Sequence, residues 1–106
     1  MGYYTNFTIK LSDNNNIDNI VERLREISGY DWDYTDEIYN FCKWYEHEHD
    51  MCKLSKEFPN IVFTVFGNGE SFDDVWCEYW KNGMIQNANR RIIYDEYNED
   101  ELTPWN

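Results

Sequence analysis

The densest group of potentially reactive side chains in the sequence is the pentapeptide EHEHD, Glu46 to Asp50. Histidine nitrogens and carboxylate oxygens bind zinc, which needs three or four ligands converging at fixed geometry. On a helix, residues two apart point to different sides, so His47 and His49 cannot reach one ion as an i, i+4 pair does. The spacing therefore predicts no metal site and no cofactor. Both histidines are expected at the surface or at an edge, beside carboxylates that complement the dipole of a helix start.

The three cysteines, Cys42, Cys52 and Cys77, point to no catalytic chemistry. An odd number without a CxxC pair argues against a disulfide framework and a zinc ribbon, and it favours a reducing cytoplasm. All three lie in apolar patterns, which is typical of buried packing residues rather than of nucleophiles. The segment GNGE at 67–70 lacks the rest of either glycine-rich phosphate fingerprint. We therefore expect no catalytic residue and no enzyme.

The net charge is the strongest compositional signal, because 21 Asp and Glu against 9 Lys and Arg leave −12. Such a chain repels nucleic acid and anionic membranes, and no run approaches the roughly 18 apolar residues of a membrane span. Acidic disordered segments lack aromatic residues, whereas this chain has 5 Trp, 9 Tyr and 6 Phe. The charge alone fits a role in solubility, but the aromatic surplus favours a surface that binds a basic protein.

The hydropathy pattern changes between period 2, typical of strands, and period 3.6, typical of helices. It predicts the order β-α-β-α-β-β-β, with helices at about 16 to 28 and 45 to 58. Asn82 and Gly83 predict a tight hairpin between the last two strands, because both tolerate positive φ. The order predicts one α+β domain, residues 1–106, in which an antiparallel or mixed sheet of about five strands carries both helices on one face.

Helices on one face leave the other face of the sheet open. If Trp76 and Trp80 of the strand DVWCEYW point outward, they form an aromatic patch with Tyr4 and Tyr39 that is edged by acids. Two alternatives stay open: the acidic tail at about 95–106, which is expected to fray, or a second copy in a homodimer covers that face. The residues expected to bind a partner are Asp31, Asp33, Asp36, Glu37, Glu70, Asp73 and Asp74, with Trp76 or Trp80 as the anchor.

The stretch from Trp44 to Gly83 contains WYEHEHDM, LSKEFP, GNGE and, after Trp80, KNG. This pattern, over about 40 of the 106 residues, resembles a family of small uncharacterised proteins from bacteriophages and bacterial mobile elements, although Glu46 and Asn68 depart from it. The resemblance implies a phage or prophage origin and assigns no chemistry. By analogy of class alone, small acidic phage proteins are often inhibitors of host machinery, including nucleic-acid mimics of the anti-CRISPR or anti-restriction type.

The leading hypothesis is a non-enzymatic inhibitor in the cytoplasm of a bacterial host. We expect it to bind a basic host protein, such as a nuclease or another nucleic-acid-binding complex, without binding nucleic acid or membrane itself. A first alternative is an immunity or accessory protein that neutralises a cognate toxin. A second is a small enzyme or ligand-binding protein with a cleft lined by Trp44, His47, Cys42 and Trp76.

Overall fold

The computed structural model describes residues 3–91 and 93–105, so Met1, Gly2, Ile92 and Asn106 of the expected 1–106 domain lie outside it. The elements confirm the predicted α+β fold and follow the order β-α-β-β-α-β-β-β. They are β1 (Thr5–Leu11), α1 (Ile17–Ser28), β2 (Asp33–Tyr34), β3 (Ile38–Cys42), α2 (His47–Glu57), β4 (Phe63–Asn68), β5 (Val75–Lys81) and β6 (Met84–Ala88).

All six strands form one antiparallel sheet in the spatial order β2-β3-β1-β4-β5-β6. Ile9 of β1 lies between Ile38 of β3 and Val65 of β4, and all three side chains are buried under the helices. In each strand, the residues next to these buried ones point to the opposite side of the sheet, because side chains alternate along a strand. We call this uncovered side the open face; it carries Tyr4, Asn6, Thr8, Lys10, Tyr39, Phe41, Phe66, Cys77 and Tyr79.

The two helices begin and end within about two residues of the predicted positions, which confirms them. Helix α1 ends at Gly29, whose φ of 78° is left-handed and whose N–H donates to the Arg25 carbonyl at 2.9 Å. Glycine takes this conformation without a Cβ clash, so it terminates the helix. Each helix buries one apolar stripe against the sheet: Ile20, Val21 and Leu24 from α1, and Met51 and Leu54 from α2.

The predicted hairpin turn is confirmed, since Asn82 has a φ of 48° and Gly83 a φ of 78°. Two positive φ angles match the type I′ turn that suits the twist of antiparallel strands. The turn is tied to α2, because the Gly83 N–H donates to Ser55 Oγ at 2.9 Å. The Lys56 stem packs so closely that a Cβ at Gly83 would lie 2.5 Å from its Cε.

The acidic segment 31–37 contains the strand β2, which lies at the sheet edge and is absent from the predicted order. Trp32, directly before it, is fully buried in the core. The Arg25 guanidinium donates to the Trp32 carbonyl at 2.6 and 3.2 Å, which satisfies a backbone group that this burial removes from water. A buried tryptophan therefore anchors this acidic segment to the core.

Gly67, the first residue of the GNGE segment, lies within β4 and faces the helices. It stands directly opposite Trp76 of β5. A Cβ at Gly67 would lie 2.1 Å from the Trp76 indole carbons. The position therefore needs glycine because the indole lies across the backbone.

The described chain beyond Ala88 forms no further strand and contains a short 3₁₀ helix at Glu99–Glu101. Fraying of this tail stays a prediction. Within residues 3–91 and 93–105, no helix combines the length and the hydropathy needed to cross a membrane. Several large apolar side chains of the tail are exposed: Ile93, Tyr94, Tyr97, Leu102 and Trp105.

Candidate functional site

The outward orientation expected for Trp76 and Trp80 is wrong. Trp80 is only 4% exposed, and it stands opposite the buried Phe63. Trp76 packs against the same core beside Gly67. The indoles fill the space between α2 and the sheet, so the alternate residues of β5 face the open side instead. Trp80 is therefore not accessible as the expected anchor of a partner interface, and Trp76 is half-buried on the helix-covered side rather than on the open face.

His47 is not the surface residue that was predicted, because it lies half-buried between α2 and β5. Its Nε2 is 3.1 Å from Glu78 Oε1, and its ring centroid is 5.0 Å from that of Trp76. Glu78 is itself buried and accepts a hydrogen bond from Trp80 Nε1 at 3.0 Å. His49 is exposed, as predicted. The histidine and the glutamate thus form a polar link between helix and sheet.

Asp50 has a comparable role at the other end of EHEHD. It is buried, and its Oδ2 accepts a hydrogen bond from Trp44 Nε1 at 2.7 Å. Such a bond offsets the cost of burying both the indole N–H and the carboxylate. In the described part of the chain, no group of three or more His, Cys, Asp or Glu side chains is placed to hold a metal ion. Within EHEHD, Asp50 therefore accepts a hydrogen bond from a buried indole, and His47 pairs with a buried carboxylate.

The alternative of a small enzyme or ligand-binding protein required a cleft lined by Trp44, His47, Cys42 and Trp76. In the structure these side chains pack against one another and fill that space. The His47 ring centroid lies 5.8 Å from Trp44 and 5.0 Å from Trp76. Trp44 and Cys42 are each less than 5% exposed. Burial raises the pKa of the Cys42 thiol, which disfavours the nucleophilic thiolate. These four side chains contribute to the core.

The open face carries a second set of aromatic side chains, and these are accessible. Their exposed fractions lie between 36% and 55%. Tyr4 stacks on Phe41 with ring centroids 5.0 Å apart and an interplanar angle of 22°. The structure places Tyr4 and Tyr39 on this face, as expected, and adds three residues that sequence reasoning missed. The five aromatic residues of the open face are Tyr4, Tyr39, Phe41, Phe66 and Tyr79.

A shallow concavity of about 800 Å³ occupies the middle of the open face. Aromatic and amide side chains line it together, which gives apolar area with hydrogen-bonding groups at defined positions. Asp33 and Glu37 border it on the β2 side. The other principal lining side chains are Asn6, Thr8, Tyr39, Phe41, Phe66 and Asn68.

The expected partner-binding acids are not gathered into one cluster. The segment 31–37 adjoins the end of β3 that pairs with Ile9, whereas the segment 70–74 follows the end of β4 that pairs with Asn6. Strand β2 runs antiparallel to β3, so Asp31 lies back beside Tyr4 and Phe41. The segment 31–37 therefore follows the β2 edge of the open face, whereas the segment 70–74 lies past the end of β4. Five of the seven acids are exposed and two are half-buried; the exposed ones are Asp31, Asp33, Asp36, Glu70 and Asp73.

Several of these carboxylates already have partners within the chain. Glu37 lies 3.4 Å from Lys10 Nζ. Asp74 accepts a hydrogen bond from the Tyr3 hydroxyl at 2.6 Å, and Glu70 accepts one from the Tyr4 N–H at 2.5 Å. The segment 70–74 thereby holds the start of the chain against the sheet, so part of its acidity stabilises the fold.

Two lysines lie over aromatic rings of the open face. Lys10 Nζ is 5.4 Å from the Phe66 ring centroid, and Lys43 Nζ is 4.9 Å from that of Tyr4. An ammonium group within about 6 Å of a ring face is attracted by the ring quadrupole. Two of the five exposed rings therefore already bind ammonium groups of their own chain.

Comparison of the chain with protein-family models, with curated proteins and with solved structures gives no match. The phage or prophage origin suggested by the sequence pattern stays a prediction. The open face is the candidate site, because it combines accessible aromatic area, a concavity and bordering acids.

Proposed function

We propose that the protein is a non-enzymatic binding protein whose open face engages a basic protein partner. The observation that carries the proposal is that five aromatic side chains remain exposed on one side of the sheet while both helices cover the other. Contiguous apolar surface bordered by polar residues is typical of protein interaction sites. The net charge of −12 selects a partner of opposite sign.

Aromatic rings supply the short-range part of the proposed interaction. Large aromatic side chains dominate binding energy in interfaces, since they bury much area with little loss of conformational freedom. Phe41 is the most exposed of the five rings, and it adjoins the concavity. Lysines of the same chain already lie over Phe66 and Tyr4, which supports the proposal that these rings bind cationic groups. Lysine or arginine side chains of a partner would take equivalent positions.

The two acidic segments supply the long-range part. A basic surface that spans the open face meets Asp31 and Asp33 along the β2 edge and Asp73 beyond the end of β4. Such a charge distribution accelerates encounter with a positively charged groove and repels phosphate backbones. Binding should therefore weaken as the salt concentration rises, because both sets of charges are screened.

The finer part of the proposal concerns the partner. We propose a nucleic-acid-handling host protein, such as a nuclease of a defence system, whose basic groove the acidic protein occupies in the bacterial cytoplasm. The sequence pattern of phage and mobile-element proteins and the net charge support this choice. A protein acting in this way competes with DNA or RNA for its target and inhibits it without chemistry.

The test is affinity capture from bacterial lysate, followed by binding measurements with the captured protein. Phe41→Ala should weaken binding about tenfold or more, as expected for a central aromatic contact. The matched control is Trp105→Ala, which removes a fully exposed aromatic ring outside the open face and should leave affinity unchanged. DNA or RNA should displace the protein from its target.

Capture of a partner without a basic surface would contradict the proposal, as would an affinity that is insensitive both to salt and to Phe41→Ala. A captured basic toxin that binds no nucleic acid would instead support the immunity-protein alternative. The Phe41→Ala variant tests the contribution of the open face, and the salt dependence tests the contribution of the charge. The two contributions are therefore measured separately.

A further inference from the structure

Carboxylates and aromatic rings come together at two places on the open face. At the first, Lys10 joins them, because its Nζ lies 3.4 Å from Glu37 Oε2 and 5.4 Å from the Phe66 ring centroid. An ammonium group held between a carboxylate and a ring is attracted by the negative charge and by the ring quadrupole. The open face therefore already holds one cation in this way.

The second place, which we call the Asp33–Tyr39 site, lies across β2 and β3. Asp33 and Tyr39 stand directly opposite each other, so they point to the same side of the sheet with Cβ atoms about 5 Å apart. Both side chains are exposed and border the concavity. Within residues 3–91 and 93–105, neither side chain takes part in an ion pair, a side-chain hydrogen bond or a cation–π contact.

Strand β1 supplies a hydrogen-bond acceptor on the other side of the ring. Thr8 stands directly opposite Tyr39 in the β1–β3 pair, and it also lines the concavity. A group lying over Tyr39 therefore has the Asp33 carboxylate on one side and the Thr8 hydroxyl on the other. Neighbouring strands are about 4.8 Å apart, so the backbones that carry these two acceptors are roughly 10 Å apart.

We infer that this site binds an arginine side chain of the partner, with its guanidinium stacked on Tyr39 between Asp33 and Thr8. A guanidinium is flat, stacks on aromatic rings and carries donors at both ends; with a hydrogen bond at each end it spans roughly 8 Å. The ammonium group of lysine with two hydrogen bonds spans only about 5 Å, so it reaches one of the two acceptors. The aliphatic stem of the arginine would pack on Phe41, which follows Tyr39 on the same face.

The charges on the open face favour a cation at this site. Lys10 lies on the same face of β1 as Thr8, but its charge is countered by Glu37. The chain as a whole carries −12, which attracts a guanidinium and gives a neutral ligand no advantage. The inference rests on the proposed function, since it names the group by which the open face would recognise a basic partner.

An NMR titration of the full chain at low salt tests the inference with three peptides. Each is a blocked Gly-Ser-Xaa-Ser-Gly sequence, in which Xaa is arginine, lysine or citrulline, the uncharged analogue of arginine. The arginine peptide should shift the signals of Tyr39 and Thr8 and bind about fivefold more tightly than the lysine peptide, because it gains a second hydrogen bond. The citrulline peptide should not saturate the site.

Two variants separate the roles of the acceptors. Thr8→Val removes the hydroxyl and keeps the shape, so it should weaken binding of the arginine peptide about threefold and leave that of the lysine peptide unchanged. Asp33→Asn should weaken binding of both cationic peptides about fivefold. The matched control is Asp73→Asn, which changes the net charge equally at an exposed carboxylate beyond the end of β4 and should leave both affinities unchanged.

Equal affinities for the arginine and lysine peptides would overturn the inference, as would binding of the citrulline peptide at the same strength or signals that move only outside the open face. If a variant does not fold, the titration of the native chain with the three peptides decides. Selective binding of the arginine peptide at Tyr39 would support the inference whichever protein the lysate yields. Capture of a partner without a basic surface would reject the proposed function alone, so the two failures are distinguishable.

Discussion

The two faces of the sheet use the same kinds of residue in opposite ways. On the helix-covered side, the indole N–H groups of Trp32, Trp44 and Trp80 donate to Ser28 Oγ, Asp50 and Glu78. No buried side-chain N or O atom in the described residues lacks a hydrogen-bond partner. On the open face, the aromatic rings remain in contact with water. A high content of aromatic residues therefore does not by itself indicate a binding surface. The aromatic residues that pack in the core must first be distinguished from those that remain exposed.

The largest expected contrast between the faces lies at two adjacent residues of β5. Trp80→Ala should lower the free energy of unfolding by about 3 to 5 kcal/mol, because it leaves a cavity in the core. Tyr79→Ala, on the open face, should cost no more than about 1 kcal/mol. Equilibrium denaturation in urea measures both. Equal losses would mean that Tyr79 also belongs to a packed layer and that the open face is covered.

A second contrast concerns the polar link under α2. Glu78→Ala removes the acceptor of Trp80 Nε1 and the partner of His47, so buried groups lose their hydrogen bonds. We expect a loss of about 2 to 3 kcal/mol in the free energy of unfolding. Asp73→Ala, at an exposed carboxylate beyond the end of β4, is the control and should cost less than about 1 kcal/mol. An unchanged free energy of unfolding in Glu78→Ala would show that the buried link contributes no stability.

The close approach of Gly67 and Trp76 gives a third test of the packed side. Gly67→Ala would place a Cβ 2.1 Å from the indole, and the resulting strain should cost about 1 to 3 kcal/mol in the free energy of unfolding. The double variant with Trp76→Leu should recover part of this loss, since the smaller side chain makes room. Purely additive losses in denaturant titrations would contradict the contact.

The smallest effect is expected from the ion pair that joins the two helices at the surface. Arg23 donates to both oxygens of Glu57, at 2.6 and 3.0 Å, and holds the pKa of that carboxyl below its usual range. A depressed carboxyl pKa adds stability above the unfolded-state pKa, and this stability is lost as the pH falls through the lowered value. Glu57→Gln should lower Tm by about 1 to 3 °C at neutral pH. The difference from the native chain should vanish in acid, and a difference that persists there would exclude the pair as its cause.

Local sequence patterns were sufficient to predict the two helices and the hairpin. The stripe of Ile20, Val21 and Leu24 and the terminating Gly29 belong to one segment, as do Asn82 and Gly83. These features depend on neighbouring residues only, so periodicity and turn chemistry predict them. The α+β class follows from the order of such segments.

The orientation of β5 could not be predicted in the same way. Alternation separates Trp76, Glu78 and Trp80 from their neighbours but does not show which set faces the helices. Glu78 can be buried because it has two hydrogen-bond partners, Trp80 Nε1 and His47, and His47 is 31 residues away in sequence. Contacts of this kind, like the fit of Trp76 over Gly67, depend on tertiary packing.

The most direct test of the proposed open-face interface is a footprint of the bound partner. Hydrogen exchange or side-chain labelling of the captured complex should show protection at Tyr39, Phe41 and Phe66, with α1 and α2 unchanged. This result would agree with a partner seated on the exposed aromatic rings. Protection confined to the two helices, with the open face still accessible in the complex, would contradict the account.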